Sequence, residues 1–185
     1  MSSPQVRPSR VSDNVAARRA GGAGRLVSVT RLLPIPAAEA FALLTDLRSH
    51  ARWIPMTRVH VPPGPPRLGA LVTAVSGPLT RRGAPGLVDR MRIDRLDPPD
   101  PAAGTPGVAV FAKLGPVLLG ESRMEVAPAG PRHSRVTWSE RAWLAGPVPA
   151  AALVAPVLRG MLALALARVA RELRRRASPS PGPGR

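Results

Sequence analysis

A chain of 185 residues with 44% hydrophobic side chains and 3% aromatics, including no Tyr, has the length of one domain and must build its core from Ala, Val and Leu. The absence of Cys excludes disulfides, thiolate metal sites and cysteine nucleophiles. The formal charge of +16 is uneven, with +4 in residues 1–25 and +5 in residues 168–185, and Lys113 is the single lysine among 27 cationic residues. A charge concentrated in the two ends is not the footprint of a nucleic-acid-reading domain.

Residues 1–24 read as a disordered basic arm. They lack the apolar run of a secretory signal, so a cytoplasmic location is expected. Folding begins with RLVSVTRLL, whose alternation places Val27, Val29 and Arg31 on one face of a strand. Pro34 and Pro36 stop that strand, and Pro36 opens a short helix over Ala37 to Thr45. Asp46 is placed to cap a second short helix in LRSHARW, which ends before Pro55.

Six further strand-like runs follow, MTRVHV, LGALVTAVS, GLVDRMRIDRLD, GVAVFAKL, VLLGESRMEVA and SRVTWSERAWL, separated by turns rich in Pro and Gly. Short turns between consecutive strands dictate antiparallel pairing. The last element is a long helix starting near Val148, with Val154, Leu158, Met161, Ala165, Val169 and Leu173 on one face and fraying among Arg174 to Arg176. Residues 177–185 read as a disordered tail.

An α+β order of strand, two short helices, six strands and a long helix leaves one apolar sheet face to be covered by the terminal helix. This order, with PIPAAEAFALLTD after the first strand, SHARWIP in the second helix, a middle strand running into IDRLDPP and a late RVTWSERA, resembles the START-like helix-grip superfamily (SRPBCC). Within it the similarity is to the polyketide cyclase/dehydrase and lipid-transport branch. The resemblance implies a curved seven-stranded antiparallel sheet around the C-terminal helix, a ligand-binding domain over residues 25–176, and a small hydrophobic ligand, a lipid or a polyketide, in an internal cavity.

Strand periodicity then selects polar groups that share a face with apolar ones. Asp89 falls in phase with Leu87, Met91 and Ile93, and Glu140 with Val136, Trp138, Ala142 and Leu144. Both are candidates to orient or protonate a ligand, with Arg31 as a third. In the plainer reading Arg31 and Glu140 form a structural ion pair, since the resembling fold sets the first and last strands side by side, and Asp89 lies near a sheet end in water. Trp53, Met91, Met124, Trp138, Leu158 and Met161 are the side chains expected to line the ligand, whereas Phe111 and Trp143 fall out of phase with the apolar majority of their strands and are expected outside.

His50, His60 and His133 are scattered without metal-ligand spacing, and no hydrolase elbow, P-loop or dinucleotide fingerprint occurs. No metal and no cofactor are therefore expected. A carrier or sensor of an apolar molecule leads the functional readings, ahead of a cyclase or dehydratase using acid/base residues and of a peripheral protein on an anionic membrane through its Arg-rich helix. Arg159, Gly160 and Pro156 argue against that helix crossing a bilayer. Sequence-specific nucleic-acid binding is not expected, because no strand interleaves aromatic and basic residues.

Overall fold

The computed structural model describes residues 24–145 and 151–177; the expected arm over 1–24 except residue 24, the expected start of the last helix near Val148 and the expected tail over 177–185 except residue 177 lie outside the described residues. The elements are β1 (Leu26–Leu33), α1 (Ala37–Thr45), α2 (Leu47–Trp53), β2 (Thr57–His60), β3 (Leu71–Ser76), β4 (Leu87–Asp97), β5 (Gly107–Pro116), β6 (Leu118–Pro128), β7 (Ser134–Leu144) and α3 (Ala151–Ala177). A one-turn 3₁₀ segment, Thr80–Arg82, interrupts the β3–β4 loop.

The short connections between β2 and β7 build a meander, and β1 joins it by pairing antiparallel to β7, so the sheet order is β1-β7-β6-β5-β4-β3-β2. Alternation fixes the register: Val27 stands opposite Glu140 and Arg31 opposite Val136 on the concave face. On the convex face Ser28 meets Ser139 and Thr30 meets Thr137, each pair linked through hydroxyls 3.0 Å apart. Register shifts after Arg90 and Ile93 disturb the β4–β5 ladder, and irregularities of this kind bend the strands that carry them.

Helix α2 starts where its sequence places a cap. Asp46 accepts from the Arg48 amide at 3.3 Å and from Ser49 Oγ at 2.8 Å, which satisfies one of the free donors of the first turn. Helix α3 packs on β1, β7 and α2, burying Leu158, Leu162, Ala165, Leu166, Val169, Ala170 and Leu173. That stripe is wider than the single face read from periodicity. The helix also continues through Arg174, Arg175 and Arg176 to Ala177 instead of fraying there, because Arg176 bonds back to Glu172 one turn earlier at 2.6 Å.

The centre of the interior is filled. Ile93, Phe111, Met124, Val126, Val136 and Trp138 from the sheet and Leu162, Ala165, Leu166 and Val169 from α3 each expose 4% or less. The hollow expected from small side chains is therefore corrected in the middle of the sheet, where Phe111, Trp138 and Met124 supply the missing volume. Phe111 itself corrects the expectation of a solvent-facing ring, since it is 2% exposed in the core. Trp143 is half-buried and lies opposite Leu119, in register outside the core face.

Candidate functional site

Three ionisable side chains meet on the concave face where β4, β5 and β7 end or begin. Lys113 Nζ lies 2.5 Å from Asp89 Oδ2 and 2.7 Å from Glu140 Oε1, with side chains 4%, 15% and 2% exposed. Three strands contribute because alternation puts Asp89, Lys113 and Glu140 on the same side of neighbouring strands. Strand β6 runs between Lys113 and Glu140, and Gly120 is its residue in register with Lys113, so no side chain on β6 stands beside the lysine.

The charge state of the ammonium follows from this geometry. Burial pulls the Lys113 pKa down, but the combined attraction of Glu140 and Asp89 and the hydrogen bonds to both leave it above its ordinary 10.5. Lys113 therefore stays an ammonium throughout the neutral range and offers no free amine to act as a base or imine-forming nucleophile. Its stabilising contribution is fully present below 10.5 and is lost only as the pH rises through its higher native value.

These contacts correct the expected Arg31–Glu140 pair. Arg31 is in register with Val136, half-buried, four residues along β1 from the residue facing Glu140, and it takes part in no ion pair among the described residues. Asp89 is likewise not a solvated sheet-end group: Oδ2 is bound by Lys113, and the buried Oδ1 has no hydrogen-bond partner in the protein. Lys113 was missed because a charge in GVAVFAKL made the face it shares with Ala109 and Phe111 look like the outer one. The signal was present, since an isolated lysine in phase with an aromatic residue, facing strands with in-phase carboxylates, is the pattern of a buried ion cluster.

The apolar candidates divide by position. Trp53, Met124, Trp138 and Leu158 are buried at 2%, 1%, 4% and 7% exposure, while Met91 and Met161 remain half-buried at the edge of the core. Met91 lies opposite Val72, and Asp89 opposite Ala74, which in turn faces Val59. Half-buried Val59, Ala74 and Met91 thus form an apolar strip beside the charged cluster, on the strands farther from β1 and β7.

Two tryptophans frame a histidine that sequence reasoning left unassigned. His50 lies 5.7 Å from the Trp53 ring and 5.3 Å from the Trp138 ring, and its Nε2–H donates to the Leu44 carbonyl at 2.7 Å. Trp138 Nε1 donates to Ser122 Oγ and Trp53 Nε1 to Glu172 Oε2, both at 2.8 Å. His50 Nε2, Trp53 Nε1 and Trp138 Nε1 are thus all hydrogen-bonded, and the trio ties α2 to β7 and α3. Burial holds the His50 imidazole below its ordinary 6.5, against the opposing pull of the Leu44 carbonyl and of Asp46. As the pH falls below 6.5, the unfolded chain takes a proton that the native chain refuses, so stability drops by up to about 1.4 kcal/mol per pH unit until the native value is crossed. Urea midpoints between about pH 7.5 and about pH 5.5 should show this slope, and His50→Gln should flatten it.

Among the described residues no group of His, Asp and Glu is placed to hold a metal ion, and no helix is long and apolar enough to cross a membrane. A curved antiparallel sheet gripping a C-terminal helix, with two short helices after the first strand and polar groups set into its concave face, defines the helix-grip class. The chain belongs to the polyketide cyclase/dehydrase and lipid transport family, which it matches over residues 25–176. No curated protein matches it in sequence.

Solved structures share the fold at low identity. A START superfamily protein from Mycobacterium smegmatis superposes with a TM-score of 0.55 at 16% identity, covering 83% of this chain and 97% of that one. Norcoclaurine synthase from Thalictrum flavum, in complex with dopamine and hydroxybenzaldehyde, gives 0.58 at 12% identity over 97% of this chain and 100% of that one. The di-domain ARO/CYC BexL of the BE-7585A biosynthetic pathway gives 0.59 at 16% identity over 84% of this chain and 48% of its own length. Family membership supports a ligand-binding or cyclase role.

Proposed function

We infer that the chain binds a small apolar molecule carrying a hydrogen-bond donor, seated on the concave face beside β2, β3 and β4. The observation that carries this reading is the buried Oδ1 of Asp89, without a hydrogen-bond partner among the described residues, next to half-buried Val59, Ala74 and Met91. A buried acceptor without a partner is costly, and a ligand donor removes that cost. Lys113 has both of its carboxylate contacts and serves to hold Asp89 in place, while Met91 supplies an adaptable apolar wall. The first half of α3 contributes half-buried Val154 and Met161 to the edge of the same core.

The carrier reading is favoured over turnover because the lysine is held as an ammonium with one oxygen of each carboxylate bound to it, which leaves no free amine in the cluster. Native mass spectrometry of the purified chain should find an apolar compound bound in equimolar amount. Met91→Trp, which fills the strip, should weaken its retention about tenfold or more, and Asp89→Leu should lower it without abolishing the fold. Absence of any retained compound, together with no saturable uptake of an apolar fluorescent probe, overturns the reading. Conversion of a poly-β-keto substrate that disappears in Asp89→Asn would replace the carrier by a cyclase at the same site.

A further inference from the structure

We propose that one end of the molecule, formed by the α2–β2 turn, the β3–β4 loop and the groove between α2 and α3, is a docking face for an anionic lipid bilayer. Met56 and Leu79 enter the interface there, and Arg52, Arg168, Arg171 and Arg175 meet the lipid phosphates. Docking at this end is independent of what the concave face binds.

Met56 and Leu79 are 56% and 61% exposed. Each sits at positive φ, 53° and 60°, a conformation that large side chains avoid unless surrounding structure imposes it. The imposing contacts are specific. Thr80, fully buried, donates its hydroxyl to the Met56 carbonyl at 2.6 Å and to Gly77 O at 3.0 Å, and the Gly77 amide donates to the same Met56 carbonyl at 2.9 Å. Arg81 donates to the carbonyls of Ala51, Ile54 and Thr57. Two apolar side chains are thereby pinned outward on neighbouring turns and are held there by a network that a merely floppy loop would lack.

Three residues before Met56, Trp53 enters the wall of a groove of about 440 Å³, shared with Arg52, Arg168, Arg171, Glu172, Arg175 and Arg176. The spacing of 168, 171 and 175 puts three arginines on one stripe of α3 facing α2. Five guanidinium groups surround one carboxylate. Glu172 is occupied by Trp53, Arg52 and Arg176, and Arg168 by the Trp53 carbonyl at 3.2 Å. Arg171 and Arg175 make no ion pair among the described residues. Arginine forks of this kind suit phosphate oxygens, and their attraction to an anionic surface fades with salt, whereas the two apolar tips add a salt-resistant part.

The test is co-sedimentation of the full chain with vesicles of phosphatidylcholine mixed with phosphatidylglycerol and of phosphatidylcholine alone, at low and high salt. Binding should need the anionic lipid. Arg171→Glu with Arg175→Glu should weaken it about tenfold or more. Met56→Asn with Leu79→Asn should remove the salt-resistant fraction while raising the thermal midpoint, because Asn tolerates positive φ better than Met or Leu. That opposite movement of stability and binding separates a docking role from a structural one. Equal binding to both vesicles, binding unaffected by either double variant, or binding of inorganic pyrophosphate in the groove with no vesicle binding would each overturn the proposal, the last in favour of a soluble anion site.

Discussion

Lys113→Met is expected to destabilise the fold by about 3–5 kcal/mol, read as a fall in the urea midpoint at constant slope. The native cluster is one ammonium between two carboxylates, with Lys113 and Glu140 almost wholly buried. Removing the cation leaves two like charges close together, largely desolvated and without the one cation that pairs with them among the described residues. Removing the whole cluster is a different change. The triple variant Lys113→Met, Glu140→Met, Asp89→Leu should recover most of the loss, because a buried ion set replaced as a unit by hydrophobic residues of similar volume is often close to neutral in stability. If the single and triple variants prove equally unstable, the cluster does not act as one electrostatic unit. If the triple variant folds but no longer retains an apolar compound, the cluster has been kept for binding and not for stability.

The elements themselves were legible because each carries a local physical signal. Alternation in LVSVTRLL and SRVTWSERAWL marks strands with one buried face, Asp46 marks a helix start, and paired prolines mark the turns. The site was half legible for a related reason. Asp89 and Glu140 stood out as charges in phase with apolar neighbours, but pairing partners depend on which strands adjoin, and a strand's own sequence does not say that. First and last strands do pair here, yet the register puts Val27, not Arg31, opposite Glu140. The expectation for Phe111 departs from the structure for a linked cause: both faces of β5 are largely apolar, and Lys113 makes the face it shares with Phe111 read as the outer one, whereas Asp89 and Glu140 neutralise its charge inside. The packed centre was illegible from composition, since 3% aromatics says nothing about their placement, and Phe111 and Trp138 both fall in the middle of the core.

Gly120→Ala should be about as damaging as losing the lysine, at about 3 kcal/mol or more, and for a reason of backbone geometry. Gly120 has φ +137°, and a Cβ there would lie 2.0 Å from the Arg141 carbonyl oxygen and 2.8 Å from the Ala142 Cα. Both are main-chain atoms of β7, so no side chain can swing aside; the strand itself must move. Gly160→Ala provides the matched control, because a Cβ at that exposed position in α3 meets nothing within 4 Å and should stabilise the helix by roughly 1 kcal/mol. The damage at Gly120 should also reach the ion cluster. Lys113 and Ala142 are its cross-strand neighbours, and Glu140 lies two residues before Ala142, so a β7 strand pushed away from β6 carries Glu140 away from the ammonium. The double variant Gly120→Ala, Lys113→Met should accordingly cost less than the two single losses added together, measured by urea unfolding. Strict additivity would mean that β7 shifts without disturbing the Lys113–Glu140 contact.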